Sequence, residues 1–212
     1  MKKNLLIPGL VLLAAFKSTA QVDINFDSVN ANIPGGVDAT SYLASYGITL
    51  TGLNPTGGAP NINSDTAFFG SGVAFPSSPP NFLLQQASST GESYTMQFGA
   101  PLSEVQFYRV GTSDTTETPI WSATAYDGAA ALGSVGESSI DAFTGSSAKL
   151  FTMSYAGSEI TSLTFYGNGE GSAALYGAAI DDLTLYAVPE PSTLALVGLS
   201  GLSWLSFRRQ RR

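Results

Sequence analysis

Three aspartates, Asp27, Asp181 and Asp182, are the residues of this chain whose types and placement best suit chemistry. Asp181-Asp182 opens the last alternating segment and Asp27 follows the first, so a fold that pairs its first and last strands brings the three together. Clustered carboxylate oxygens, completed by backbone carbonyls, make a calcium shell, and a structural calcium is the one cofactor this set suggests. The same residues also read as a turn cap at Asp27 and a solvated strand end at the pair. No EF-hand spacing decides between the two.

The remaining candidates are dispersed. Glu92, Glu104, Asp127 and Glu137 stand singly beside turn residues. Two carboxyls serve a glycoside hydrolase only when the fold holds them roughly 5 to 9.5 Å apart across a cleft; otherwise they are solvating charge. Trp121 and the tyrosines Tyr42, Tyr46, Tyr94, Tyr108, Tyr126, Tyr155, Tyr166, Tyr176 and Tyr186 supply faces that can stack on sugar rings, although most aromatics in strands are core. Gly167-Asn168-Gly169-Glu170-Gly171 lacks the following lysine and helix of a phosphate cradle and reads as a hairpin loop.

Absences narrow the classes further. The chain has no histidine and no cysteine. That removes the usual base of serine and cysteine hydrolases, the thiolate nucleophile, disulfides and sulfur-ligated zinc. Seven of nine basic residues lie in the two terminal segments, and between Asp23 and Asp182 only Arg109 and Lys149 face fifteen carboxylates, a formal charge of −13. Such a surface repels a phosphate backbone, so nucleic acid is not a partner.

The elements that must position these residues are strands. Short alternating runs of β-branched and aromatic residues recur between Gly, Pro, Ser and Asn clusters, from Val22 to Phe26 through to Leu183 to Tyr186. In Tyr94-Thr95-Met96-Gln97-Phe98 the three apolar residues share one face and Thr95 and Gln97 the other. Ser93 to Phe98 and Val105 to Val110 read as two strands, and Ala67 to Phe69 and Leu175 to Ile180 as two more. Asp38 to Tyr46 is the one short helical stretch, with Gly47 as its stop. Asn54 to Asn63 and Gly70 to Pro80 read as long loops. So many short strands in one domain, residues 21–187, fit an all-β, jelly-roll-like antiparallel β-sandwich. The order of its segments, ending in Ile180-Asp181-Asp182-Leu183, resembles the galactose-binding-like jelly rolls of exported bacterial proteins. That resemblance implies a structural calcium at Asp27 with Asp181 or Asp182.

Both ends differ from this middle. Met1-Lys2-Lys3-Asn4, an apolar run from Leu5 to Phe16 and the small residues Ser18 and Ala20 make residues 1–20 a secretory signal peptide cleaved between Ala20 and Gln21. Residues 188–212 begin with Val188-Pro189-Glu190-Pro191-Ser192, continue with an apolar stretch over 193–207 and end in Arg208, Arg209, Arg211 and Arg212. The stretch is slightly short for a transmembrane helix, a marginal span, and the arginines hold its end on the cytoplasmic side of the inner membrane. Two prolines flanking a glutamate keep the preceding segment extended and open to a protease cleft.

Proline-glutamate-proline, apolar helix and arginine cluster in that order resemble the PEP-CTERM sorting signal. The resemblance implies an exosortase-type membrane transpeptidase as partner and a route to the cell surface or extracellular matrix. The expected function is therefore an exported, non-catalytic surface or matrix protein whose sandwich offers a face for self-association or for exopolysaccharide. A glycan-active hydrolase using paired carboxylates and a dedicated carbohydrate-binding module are the alternatives.

Overall fold

The computed structural model describes residues 20–33, 36–53, 59–64, 74–85, 92–112, 120–137, 148–168 and 179–188. The chain divides into two compact units, and every described residue belongs to the one running Ala20–Val188. The expected signal peptide, apart from Ala20, and the expected helix over 193–207 lie outside the described residues, as do the expected strand from Ala67 to Phe69 and most of that from Leu175 to Ile180. Among the described residues no helix is long and apolar enough to cross a membrane.

The strands are β1 (Gln21–Ile24), β2 (Val37–Asp38), β3 (Ile48–Thr51), β4 (Asn61–Ser64), β5 (Ala74–Phe75), β6 (Asn81–Leu84), β7 (Glu92–Arg109), β8 (Gly111–Thr112), β9 (Ile120–Asp127), β10 (Ala130–Glu137), β11 (Lys149–Ser154), β12 (Ile160–Asn168) and β13 (Ile180–Ala187). Every pairing among them is antiparallel. The expected helix is a single short one, α1 (Thr40–Ala44), which buries Leu43. The Asp38 carboxylate accepts from the Thr40 amide at 2.7 Å at its start, and Gly47 takes a positive φ of 75° just after its end.

β7 organises the domain. Its first half pairs with β12 and β3, and its second half with β11 and β13. Between Gln97 and Leu102 four residues face one residue of β12, a bulge that turns the strand. The turn brings distant parts together. Phe165 lies opposite Tyr94, which a straight strand would place about 43 Å from Phe107, yet the Phe107 and Phe165 rings are 5.3 Å apart. β7 is thus the shared strand of two layers packed face to face. The front layer is β10-β9-β12-β7-β3; the back layer is β11-β7-β13 with β1, β6, β4 and β2 beyond.

Alternation sets what fills the space between them. Tyr94, Met96 and Phe98 from one half of β7 and Val105 and Phe107 from the other are buried, with Leu163 and Phe165 from β12 and Leu183 and Leu185 from β13. Trp121 meets Phe107 and Phe151 edge-on, at 6.1 and 4.9 Å, while its strand neighbours Ala123 and Ala125 leave room for the large rings opposite.

Several elements depart from expectation, and Ala74–Phe75, strand β5, lies inside the segment from Gly70 to Pro80 that reads as loop. Asn61–Ser64 is strand β4 inside a segment that reads as loop, and the two stretches flanking Gly99 form one strand where two are expected. β10 carries no strand signal because Gly136 must lie flat on β9, where a Cβ would stand 2.3 Å from the Trp121 carbonyl oxygen. Phe107→Ala should cost about 3 to 5 kcal/mol in urea unfolding, whereas Val22→Ala, at a residue 39% exposed near the end of β1, should cost less than about 1.

Candidate functional site

The three aspartates expected at a metal site all dock on one segment, Ser77 to Asn81. Asp27 sits in a 3-10 turn (Phe26–Ser28), where its Oδ1 accepts from the Asn81 amide at 3.1 Å. The Asn81 side chain donates back to the carbonyls of Phe26 and Val29, at 3.0 and 2.7 Å. At the other end of the segment, Asp181 Oδ2 accepts from the Ser78 amide at 2.9 Å and the Ser77 hydroxyl at 3.1 Å. Asp182, held at a positive φ of 43°, accepts the hydroxyls of Ser77 and Ser78 at 2.5 and 2.7 Å.

Calcium asks for six to eight oxygens turned toward one point. Here N–H donors occupy both Asp181 oxygens and one of Asp27, the Asp181 Oδ1 partner being the Asp182 amide at 2.8 Å. Among the described residues no group of three acidic side chains is close enough to hold a metal ion. The set fits a serine-aspartate latch that fastens β13 to the segment before β6, and it fits a calcium shell poorly. Ser77, Ser78 and Asn81 carry no signal in the sequence, since serine and asparagine are common in loops.

Burial, opposed by the Ser78 amide and reinforced by the Asp182 charge, raises the Asp181 carboxyl from 3.8 to about 6. The folded state therefore binds more protons than the unfolded chain between these values, so this group's contribution falls as pH rises from about 4 to about 6.

A second cluster gathers both cations of the domain. Arg109 Nε and Lys149 Nζ reach Glu137 at 2.9 and 3.1 Å, and the Trp121 indole N–H donates to the same carboxylate at 2.8 Å. Burial pushes the Glu137 carboxyl up, but the Trp121 hydrogen bond and the two cations outweigh it and hold the carboxyl below its usual range. Arg109 is legible in hindsight: it follows Val105 and Phe107 on the inward alternation of β7, and a buried guanidinium needs a partner.

The other candidate carboxylates are apart. Glu104 accepts from Gln106 at 2.5 Å and Asp127 is exposed at the β9-β10 turn; the Glu92 side chain lies outside the described residues. A half-open cavity of about 230 Å³ is lined by Asp23, Ile24, Asn25, Asp182, Leu183 and Thr184. Trp121 is 2% exposed, so it is core and not a stacking platform. Tyr94 is buried, Tyr46 and Tyr166 are exposed, and Tyr176 lies outside the described residues.

β13 ends at Ala187, whose amide donates to the Ala20 carbonyl at 2.9 Å; Val188 donates to the Pro101 carbonyl at 3.3 Å. The folded ladder therefore stops where the proline motif starts, and the expected cleavage point after Ala20 lies beside it. Pro189, Glu190, Pro191 and the arginines at 208, 209, 211 and 212 lie outside the described residues.

Glu137→Ala removes the carboxylate that Arg109, Lys149 and the Trp121 indole share, so it should cost roughly 3 to 5 kcal/mol in urea unfolding. Lys149→Ala, at a side chain 55% exposed, should cost under about 1 kcal/mol. For the latch, the melting temperature should be higher at about pH 5 than at about pH 7, and Asp181→Asn should flatten that difference. A wild-type profile that climbs across that interval would contradict the assignment.

No curated protein matches this sequence. Solved structures to which this chain shows similarity include the K2 cleaved adhesin domain of Lys-gingipain, at 12% identity and TM-score 0.47 over 78% of this chain and 99% of that one. TmCBM61 in complex with β-1,4-galactotriose aligns at 15% identity and TM-score 0.33, over 67% of this chain and 83% of its own. CBM32 of AlyQ in complex with 4,5-unsaturated mannuronic acid aligns at 11% and 0.34, over 66% and 94%. Residues 187–212 match the PEP-CTERM protein-sorting motif, which marks this chain as an exported protein that an exosortase processes.

Proposed function

We propose that this is a non-catalytic cell-surface or matrix protein, first held in the inner membrane by residues 193–207 and then processed at Val188-Pro189-Glu190-Pro191, whose sandwich engages exopolysaccharide. One observation carries the sorting half of this reading: the matched sorting motif begins at residue 187, where β13 ends, so in chain order the last strand is complete before the proline motif is reached. Cutting there removes no rung of the sheet.

The non-catalytic half rests on the carboxylates. Asp23 and Asp182 line the 230 Å³ cavity, but Asp23 accepts from Gln21 and Thr184, and Asp182 from two serines. Ligand pockets usually occupy about 300 to 1,000 Å³ and leave their acid groups free to meet substrate. Among the described carboxylates, both features favour a binding or structural role over a glycan hydrolase.

Cell fractionation with intact mass spectrometry tests the sorting. Wild type should appear outside the inner membrane at a mass lacking the tail, and a Pro189-Glu190-Pro191 to triple-alanine variant should stay membrane-bound at a mass that keeps it. Equal mass and location for both would sink the reading. Chelation tests the latch: melting with excess calcium and with chelator should agree within about 1 °C, and a larger shift would assign a cation to the aspartates.

A further inference from the structure

The two outer faces of the sandwich differ in charge. Across the back layer the register runs Asp23–Thr184–Gln106–Thr152, with Glu104 in the next row, so this face carries carboxylates. Across the front layer one row runs Thr51–Thr95–Thr164–Thr124–Ser134, a β-hydroxy side chain on each of five neighbouring strands. Thr95 and Thr164 share a hydrogen bond of 2.8 Å, as do Thr124 and Ser134. The rows on either side pass through Gln97 and Ser162 and through Ser93 and Ser122, and each contains one tyrosine, Tyr126 or Tyr166. None of these residues is buried, and none is charged.

A face uncharged among the described residues is unexpected on a domain of formal charge −13. Solvated sheet faces ordinarily carry interspersed Lys and Glu, which also discourage unwanted pairing. From this geometry we infer that the front face is a docking surface for a neutral polysaccharide, an inference that rests on the glycan-binding reading above and locates its site.

Complementarity selects the occupant. An anionic chain would meet net negative charge while both cations of the domain are engaged at Glu137. A cationic partner would be drawn to the carboxylates of the back face instead. A second copy of the domain would bring −13 against −13. A neutral polyhydroxyl chain suffers none of these, and hydroxyl rows that both donate and accept can meet its hydroxyls in either sense. Within a row the side chains repeat about every 4.8 Å from strand to strand, and Tyr166, 42% exposed, offers a ring to the C–H faces of the sugars.

Affinity electrophoresis of the full chain in mild detergent tests this, in gels holding neutral glucan, galactan or xylan, or anionic alginate or polygalacturonate. Wild type should be retarded by at least one neutral polymer and by neither anionic one. Thr164→Glu should weaken that retardation by about tenfold or more, and Gln106→Glu on the back face should leave it unchanged. Because Thr164 is half-buried, Gln97→Glu with Ser134→Glu at exposed positions gives a second variant whose melting temperature should match wild type. Retardation that survives both front-face variants would overturn the site while leaving glycan binding standing. Retardation by no polymer would overturn both, and retardation by anionic polymers alone would overturn the neutral assignment. A concentration-dependent dimer that the exposed-position variant dissolves would give the face to a second copy.

Discussion

One strand belongs to both layers, and the rest of the domain is arranged around that fact. β7 runs 18 residues, pairs on both sides along most of its length and turns over through the bulge before Leu102. Its alternation shifts by one residue across the turn, from even-numbered to odd-numbered inward positions, so Tyr94, Met96 and Phe98 and then Val105 and Phe107 all line the same interior. A covalent corner of this kind fixes how far apart the layers sit. It leaves side-chain volume as the only way to fill the gap, which is why Ala123 and Ala125 stand opposite stacked phenylalanines.

Electrostatics acts against this compact state nearly everywhere. With fifteen carboxylates and two cations, like charges repel across the surface, and the two cations converge on a single glutamate at the edge of the core. Glu137, Arg109 and Lys149 come from the ends of β10, β7 and β11, so the cluster ties three strand termini with one carboxylate. The serine-aspartate latch solves a different problem. It lets two adjacent aspartates sit at the start of β13, one of them buried, by surrounding them with hydroxyl and amide donors.

Much of the layering was legible from alternation alone: Tyr94 to Phe98 buries the residues its pattern assigns inward, and Leu163-Thr164-Phe165 and Leu183-Thr184-Leu185 do the same. β4 and β10 were not, because Asn-Ile-Asn-Ser and a run broken by Gly133 and Gly136 carry too little β-propensity to stand out. Their strands form because neighbours impose them: β6 on one, β9 on the other. The three aspartates were placed correctly at the ends of the first and last strands, but their partners were not legible. Serine and asparagine more than fifty residues away announce nothing locally, and only the fold decides whether an oxygen meets a cation or an amide. The sorting motif was legible because its meaning is linear, a string met by a protease before any folding is consulted.

The attachment of the tail to β13 has a mechanical side. β13 is flanked by β7 on one side and by β6 and β1 on the other, and it leads without interruption into residue 188. A pull along the axis of this strand would act at right angles to its hydrogen bonds, so the rungs would bear the load together in shear rather than parting in turn. Tension from a drifting polymer or a flowing medium would thus reach the interior through the strand best equipped to resist extraction, while short outlying strands such as β2 stand off the load path.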